Sequence, residues 1–149
     1  MTSDSFFKGQ IRIRQDQSGY HFSIDAVLLA CHARPHPGDR VLDLGTGCGI
    51  VPLIMAFRHP KIMIYGIEIQ KELSELANLN AKENRMQERI SIVCQDMKSL
   101  SAEMISGRVD LVVCNPPYRK SYAGRINPNH QRAVARHEIK ATLSDVLST

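Results

Sequence analysis

The chain has 149 residues, of which 43% are hydrophobic, and a formal net charge of +4 at pH 7. This is the length of one ordinary domain with a substantial core. No stretch approaches the roughly 18 apolar residues that a membrane helix needs, and the N-terminal residues do not follow the basic-then-apolar plan of a signal peptide. The cysteines are far apart and form no Cys-x-x-Cys pair, which favours reduced thiols in a cytoplasmic protein over disulfides or a metal site.

The first predicted elements are a short strand and a helix. Ile11–Ile13 alternates apolar and polar side chains, as in a strand or an extended arm. After a turn at Gly19-Tyr20, the run Ser23–Ala33 is mostly apolar and begins with a good N-cap residue, which predicts a mostly buried helix. A proline- and glycine-containing loop ends this helix before residue 40.

Strands and helices alternate from residue 40 onward. The predicted strands are Arg40–Leu44, Lys61–Ile67, Arg89–Cys94 and Asp110–Cys114. The predicted helices are Gly49–Arg58, Gln70–Asn84, a short helix at Met97–Met104 and, after a polar loop to about Asn129, His130–Leu147. This alternation implies right-handed βαβ units, so we expect an α/β fold with a doubly wound, Rossmann-like parallel sheet in a single domain over residues 1–149.

A glycine-rich turn, Asp43-Leu-Gly45-Thr-Gly47-Cys-Gly49, joins the strand Arg40–Leu44 to the next helix. Glycines allow a tight turn there and let a ligand approach the backbone closely. The spacing is not that of a dinucleotide site because Ile50 stands where the third glycine would be, and no Gly-Lys-Ser/Thr follows as in a mononucleotide kinase. The turn therefore predicts a ligand-binding site but does not identify the ligand.

An acid stands at or just beyond the carboxyl end of each of three consecutive predicted strands: Asp43, Glu68 and Asp96. The carboxyl ends of parallel strands meet at one edge of a sheet, where ligands bind. An acid at the position of Glu68 commonly holds ribose hydroxyls, and Asp96 can accept a hydrogen bond from an adenine amino group. Each acid taken singly is equally typical of a helix N-cap or a turn. Together they fit a nucleoside with a positive sulfonium better than a pyrophosphate.

The tetrapeptide Asn115-Pro116-Pro117-Tyr118 follows the strand Asp110–Cys114. Proline fixes φ and has no N–H, so this segment is stiff. The Asn115 side-chain oxygen and the Pro116 carbonyl can accept hydrogen bonds from one amino group, while the Tyr118 ring lies against the ring that carries it. This arrangement suits a planar amine such as adenine; the alternative is an ordinary strand-to-loop turn.

Positive charge is concentrated at the C-terminal end of the chain. Residues 1–118 hold 13 Lys/Arg and 13 Asp/Glu, so the whole net charge of +4 lies in residues 119–149. Clustered positive charge attracts phosphates regardless of sequence. The alternative is a solvated basic loop and helix.

Together these motifs resemble class I S-adenosylmethionine-dependent methyltransferases that act on an amino group. The chain is more closely similar to the bacterial tRNA adenine-N6 methyltransferase family that acts on the adenine beside a valine-tRNA anticodon. The finer match spans about residues 9–147 and is carried by Gln15 with Gly19–Ala30, by Asn115–Tyr118 and by Ala135-Arg-His-Glu138.

The resemblance implies the cofactor, the substrate and the residues that bind them. S-adenosyl-L-methionine would be held by Asp43, Gly45, Gly47, Gly49, Glu68 and Asp96. The N-terminal segment, residues 1–38, would cover it, with direct contacts from Ser23 and Asp25. The target amine would be presented by the catalytic residues Asn115, Pro116 and Tyr118. The substrate tRNA would be bound through phosphates by Arg119, Lys120, Arg132 and Arg136.

Three other functions remain open at this point. A protein-glutamine methyltransferase acting on release factors also uses Asn-Pro-Pro-Tyr, against a side-chain amide. A guanine-N2 methyltransferase of ribosomal RNA is a further relative, and a non-catalytic S-adenosylmethionine- or RNA-binding module is a third possibility. The basic segment after the tetrapeptide favours RNA over protein.

One departure from the family concerns length. A complete class I fold has seven strands, whereas this chain stops after the fourth strand and one helix. We therefore expect a truncated version of a longer protein. The strand Asp110–Cys114 would then be an exposed apolar edge, so we expect the isolated chain to be weakly stable or dimeric through that edge.

Overall fold

The computed structural model describes residues 1–17, 19 and 21–116. The predicted helix His130–Leu147 and the polar loop before it lie outside these residues. No helix within the described ranges is both long enough and apolar enough to cross a membrane.

The chain begins with an antiparallel hairpin of β1 (Thr2–Phe6) and β2 (Ile11–Gln15). Side chains of β2 alternate between buried and exposed, and Ile11 and Ile13 are fully buried, so the predicted strand is confirmed and extends to Gln15. Strand β1 was not predicted, because its polar Thr-Ser-Asp-Ser sequence carries no apolar alternation.

Helix α1 (Ile24–His32) follows the hairpin and packs against the next helix. The prediction of a mostly buried helix is wrong. Only Ala26 and Ala30 are buried, while Ile24 and Leu28 are 68% and 48% exposed. Val27 and Leu29 are partly buried against the core beside these alanines, whereas Ile24 and Leu28 lie on the outer face of the helix.

A parallel sheet of four strands forms the centre of the described structure, and its order is β5–β4–β3–β6. The strands are β3 (Arg40–Leu44), β4 (Met63–Glu68), β5 (Ile90–Cys94) and β6 (Leu111–Cys114). Helices α2 (Ile50–Arg58) and α3 (Lys71–Glu83) connect the first three of them. The predicted parallel sheet and both helices are confirmed.

The strand order reverses at β3. The chain moves outward from β3 to β4 and β5, then returns so that β6 pairs with the other side of β3. Such a reversal opens a crevice at the carboxyl ends of the two central strands, where open α/β sheets bind ligands. β6 has β3 as its one neighbour among the described strands, and Val112 is 51% exposed. Pairing of this edge with another chain stays a prediction.

Apolar layers cover both faces of the sheet. The larger cluster joins α1, α2 and the hairpin to one face, and seven of the nine residues of α2 are buried within it. A smaller cluster on Leu42, Leu44, Ile67 and Ile105 covers the other face. Burial on both faces explains why β3 and β4 read as continuous apolar runs.

The predicted short helix at Met97–Met104 is wrong in form. Two separate 3-10 turns, Met97–Ser99 and Ala102–Ile105, take its place. Leu100 and Ser101 between them are extended, with ψ of 133° and 156°, so no continuous helix forms.

Two asparagines of the α3 region attach the hairpin to the sheet domain. Asn80 accepts from the Arg14 N–H at 2.8 Å and donates to the Arg14 carbonyl at 3.1 Å. Asn84 makes the same pair of bonds with the backbone of Arg12, at 2.9 and 2.6 Å. Asn80 is fully buried and also donates to the Cys48 carbonyl at 2.8 Å, which ties the hairpin to the glycine-rich turn.

Candidate active site

The glycine-rich turn leaves β3 in a conformation that glycine adopts without strain. Gly45, Gly47 and Gly49 have φ of 72°, 57° and 87°. Apart from its chain neighbours, no described heavy atom lies within 4 Å of where a Gly45 Cβ would stand, whereas a Cβ at Gly49 would meet the Ala77 Cβ at 3.2 Å. The turn is thus packed against α3 at Gly49 and open at Gly45, where a ligand can reach the backbone.

Glu68, at the end of β4, is 6% exposed and holds the turn in place. One carboxylate oxygen accepts from the Gly47 N–H and the other from the Gln70 N–H, each at 2.9 Å. Burial raises the pKa of Glu68, and these backbone donors offset part of the rise. Because each carboxylate oxygen has a second lone pair, Glu68 retains the capacity to accept from ligand hydroxyls.

Asp43, near the end of β3, is 1% exposed, and its Oδ2 has no hydrogen-bond partner within the described part of the chain. Burial raises its pKa to about 7; the Thr46 hydroxyl nearby lowers it and the charge of Glu68 raises it further. Thr46 Oγ1 is also buried, and its contact with Asp43 does not have the geometry of a full hydrogen bond. Two unsatisfied polar atoms beside an open turn are an uncommon arrangement that a polar ligand would complete.

Asp96 has a different setting. It lies two residues beyond Cys94, the residue of β5 that pairs with Glu68. Its side chain is partly buried and its Oδ1 accepts from the Lys98 N–H at 3.0 Å, so it caps the first 3-10 turn. This is the N-cap alternative that the sequence left open, and it leaves the second carboxylate oxygen for other contacts.

Asn115 lies on the other side of the crevice. Cys114 pairs with Leu44 across β6 and β3, which places Asn115 directly beside the start of the glycine-rich turn. The Asn115 Nδ2 donates to the Ser23 Oγ at 3.4 Å. Both Asn115 and Pro116 are partly buried. The N-terminal segment and the residue proposed to present the amine therefore meet in the structure.

The segment that was expected to cover the cofactor is held by Gln15. This residue is 3% exposed; its Oε1 accepts from the Phe22 N–H at 3.1 Å and its Nε2 donates to the Asp4 carboxylate. Asp25 is exposed in the first turn of α1. Gln15 thus anchors the segment that contains Ser23 and Asp25 to the hairpin.

The crevice brings together most of the residues that the sequence singled out. Asp43, Gly45, Gly47, Gly49, Glu68, Ser23 and Asn115 surround the reversal point, with Asp96 at its margin. Tyr118, Arg119, Lys120, Arg132 and Arg136 lie outside the described residues. Within residues 1–17, 19 and 21–116, no three His, Cys, Asp or Glu side chains are grouped so that they could hold a metal ion.

Two residues of the site region were missed. Thr46 faces Asp43, but one threonine between glycines carries no separate signal. Asn80 did carry one, because asparagine is a poor helix former and this one stands among the buried residues of an amphipathic helix. A buried polar residue at such a place indicates a specific partner, here the backbone of Arg14 and Cys48.

A parallel sheet with a reversal at β3, a glycine-rich turn and strand-end acids are features of the class I methyltransferase fold. YjhP from E. coli is similar in structure, with a TM-score of 0.53 and 26% identity over 63% of this chain and 37% of that one. A methyltransferase from Thiobacillus denitrificans has a TM-score of 0.52 and 22% identity over 80% of this chain and 46% of that one, a likeness of fold alone.

The sequence model of the methyltransferase small domain family matches residues 20–138, and the chain belongs to this family. Relatives named tRNA1(Val) (adenine(37)-N6)-methyltransferase occur in several bacteria. The Porphyromonas gingivalis protein is 36% identical over 144 residues, covering 93% of this chain and 56% of its own. The Vibrio campbellii protein is 33% identical over 128 residues, covering 86% and 52%. The resemblance read from the motifs is confirmed.

The chain spans about half the length of these curated relatives.

Proposed function

We propose that this chain is an S-adenosylmethionine-dependent methyltransferase that transfers a methyl group to an exocyclic amine, N6 of an adenine in tRNA. The observation that carries the proposal is the position of Asn115 beside the glycine-rich turn at the reversal point of the sheet. The names of the relatives support tRNA as the substrate.

The residues of the crevice fit the cofactor. When bound, S-adenosylmethionine supplies an electrophilic methyl group on a positively charged sulfur. The buried Asp43 Oδ2 and Thr46 Oγ1 would then gain polar partners, and the carboxylate of Asp43 would meet a positive charge. Glu68 would accept from ribose hydroxyls while it holds the Gly47 N–H, and the open side of Gly45 admits the ligand.

Asn115 would prepare the target amine. An exocyclic adenine nitrogen is a poor nucleophile because its lone pair is conjugated with the ring. Hydrogen bonds from the amine to the Asn115 Oδ1 and the Pro116 carbonyl would draw the nitrogen toward tetrahedral geometry and aim its lone pair. Catalysis would rest mainly on this orientation. The base must leave its stack to enter the crevice, and we propose that Tyr118 replaces the lost stacking.

The basic residues 119–149 favour RNA over a protein substrate, and Arg119, Lys120, Arg132 and Arg136 are the proposed phosphate contacts. A glutamine side-chain amide presents the same chemical problem to Asn115, so the substrate has to be tested directly. Radiolabelled methyl transfer from S-adenosylmethionine should be measured with bulk tRNA and with release factor in parallel. Label recovered as N6-methyladenosine supports the proposal; label in protein or no label contradicts it.

Replacement of Asn115 by alanine is the main test of the mechanism. We expect Asn115→Ala to lower the rate of methyl transfer by about 100-fold or more, because the amine is no longer oriented. Cofactor affinity should change less than about threefold, which calorimetry with S-adenosylhomocysteine measures.

Asn78→Ala is the matched control, since Asn78 is exposed on α3 and donates to the Ser74 carbonyl within its own helix. Wild-type turnover in Asn115→Ala would refute amine presentation by this residue.

A further inference from the structure

The hydroxyl of Ser23 does not do what its position in the chain predicts. Ser23 occupies the N-cap position of α1 with extended backbone angles, φ −95° and ψ 163°. A serine there ordinarily accepts from an N–H of the first helical turn. Ser23 makes no such side-chain bond to α1. Its Oγ instead accepts from the Asn115 Nδ2 at 3.4 Å, across 92 positions of sequence.

The backbone around Ser23 is held independently of that hydroxyl. The Gln15 side chain accepts from the N–H of Phe22, the residue immediately before Ser23, at 3.1 Å. Gln15 ends β2, whose backbone is bound by Asn80 and Asn84 of the α3 region. Because these bonds fix the backbone of the segment, the Ser23 hydroxyl does not need to cap α1. It can therefore lie in the crevice at a defined position.

A carboxamide is chemically two-sided, and its function depends on which side faces the substrate. It offers an NH₂ donor on one side and an oxygen acceptor on the other. A target amine donates hydrogen bonds, so only the Oδ1 side of Asn115 can receive it. With the amide turned over, donor would face donor, and the amine would lose its partner.

We propose that Ser23 is a positioning residue: its Oγ accepts from the Asn115 Nδ2 when Oδ1 faces the target amine, and this bond holds the carboxamide in place for that contact. This inference rests on the proposed function. A direct contact between Ser23 and the cofactor would change cofactor affinity. A positioning residue that acts through Asn115 changes the rate of methyl transfer and leaves cofactor affinity unchanged.

The kinetic test compares Ser23→Ala with Ser23→Thr, which keeps the hydroxyl. We expect Ser23→Ala to lower kcat with tRNA about tenfold, or about 1.4 kcal/mol in the barrier. The cofactor Kd and the KM for tRNA should stay within about twofold, and Ser23→Thr should restore most of kcat. In an Asn115→Ala background, Ser23→Ala should cause no further loss in single-turnover rate.

Ser101→Ala is the matched control. Ser101 is an exposed serine at the N-cap of a 3-10 turn, with extended angles and no side-chain capping bond. It should behave as wild type. Unchanged kcat in Ser23→Ala would overturn the inference, whether or not the cofactor Kd rises. If the wild-type protein methylates a glutamine and not tRNA, the proposed function fails, while the same variants still test Ser23 on that amide.

A second readout needs no turnover. In the ¹⁵N-labelled chain, the side-chain NH₂ resonances of Asn115 are identified by their loss in Asn115→Ala. We expect Ser23→Ala to shift them, Ser23→Thr to shift them less, and Ser101→Ala to leave them in place. If alanine disturbs the fold, Ser23→Gly serves as a second variant without a hydroxyl, because glycine is tolerated at an N-cap. Asn115 resonances that are unmoved in both hydroxyl-free variants would overturn the proposed contact.

Discussion

The acids that end β3 and β4 differ from the acid that follows β5. Asp43 and Glu68 are almost fully buried, with pKa values raised by burial, whereas Asp96 is partly exposed and caps a turn. A buried carboxylate costs stability unless a partner compensates it, while a capping aspartate stabilises the chain directly. Acidic side chains at the same edge of a sheet thus differ in what they contribute, and we expect three unequal effects on cofactor binding when they are changed.

The largest effect is expected for Glu68→Gln. The glutamine would set its NH₂ against one of the two backbone N–H groups, and it would lose the charge-assisted bonds proposed to the ribose. We expect cofactor affinity to fall by about 10- to 100-fold, measured by calorimetry with S-adenosylhomocysteine. Glu72→Gln, on an exposed residue of the first turn of α3, is the control. A loss of cofactor affinity below about threefold in Glu68→Gln would contradict the expected role of Glu68.

An intermediate effect is expected from the ionisation of Asp43. With a pKa of about 7 in the unliganded chain, most Asp43 carboxyls are protonated at pH 6 and most are ionised at pH 8. A sulfonium ligand favours the ionised form, so affinity for S-adenosylmethionine should rise by up to about tenfold between these pH values. Asp43→Asn should bind weakly at both and remove the dependence. A pH-independent wild-type affinity would contradict the assignment.

Asp43 should also make the unliganded chain less stable as the pH rises. The folded-state pKa, about 7, lies above the ordinary 3.8, so between these values the folded chain binds more protons than the unfolded one. The stability that this group contributes is therefore present below about pH 4 and is lost as the pH rises through 7. At pH 8, urea unfolding should show Asp43→Asn to be more stable by about 1–4 kcal/mol, with little difference at pH 4.

The smallest effect is expected for Asp96→Asn. Asparagine is as good an N-cap as aspartate, so the turn at Met97–Ser99 should persist and the melting temperature should change little. Cofactor affinity should fall only about two- to fivefold, through one weakened bond to the adenine. A loss as large as that of Glu68→Gln would place Asp96 among the principal cofactor ligands and would contradict this prediction.

The parts of the fold that could be predicted are those with a local signal. Strands β3 to β6 lie within two residues of their predicted bounds, because apolar runs end at turns or acids. Strand β1 could not be predicted, since Thr2–Phe6 becomes a strand only by pairing with β2. The exposure of Ile24 and Leu28 was equally hidden, because an apolar sequence does not show which face of a helix meets its neighbour.

The candidate site also has features that the sequence predicts and features that it does not. The strand-end acids and Asn115 follow from topology, because each stands where a predicted parallel strand ends. The contact of Ser23 with Asn115 spans 92 positions and depends on how the hairpin is attached, which no local pattern encodes. The burial that separates Asp43 from Asp96 likewise arises from packing around β3 and not from the residues themselves.

The asparagines that hold the hairpin have a consequence for association between molecules. Four residues along a helix advance about 6 Å and two residues along a strand about 6.6–6.8 Å, so the amides of Asn80 and Asn84 can imitate a neighbouring strand to Arg12 and Arg14. The outer edge of β2 therefore meets side-chain amides where it would otherwise offer free backbone groups to a second molecule. Asn80 and Asn84 thus take the place of a neighbouring strand along this edge of β2 and block intermolecular pairing there.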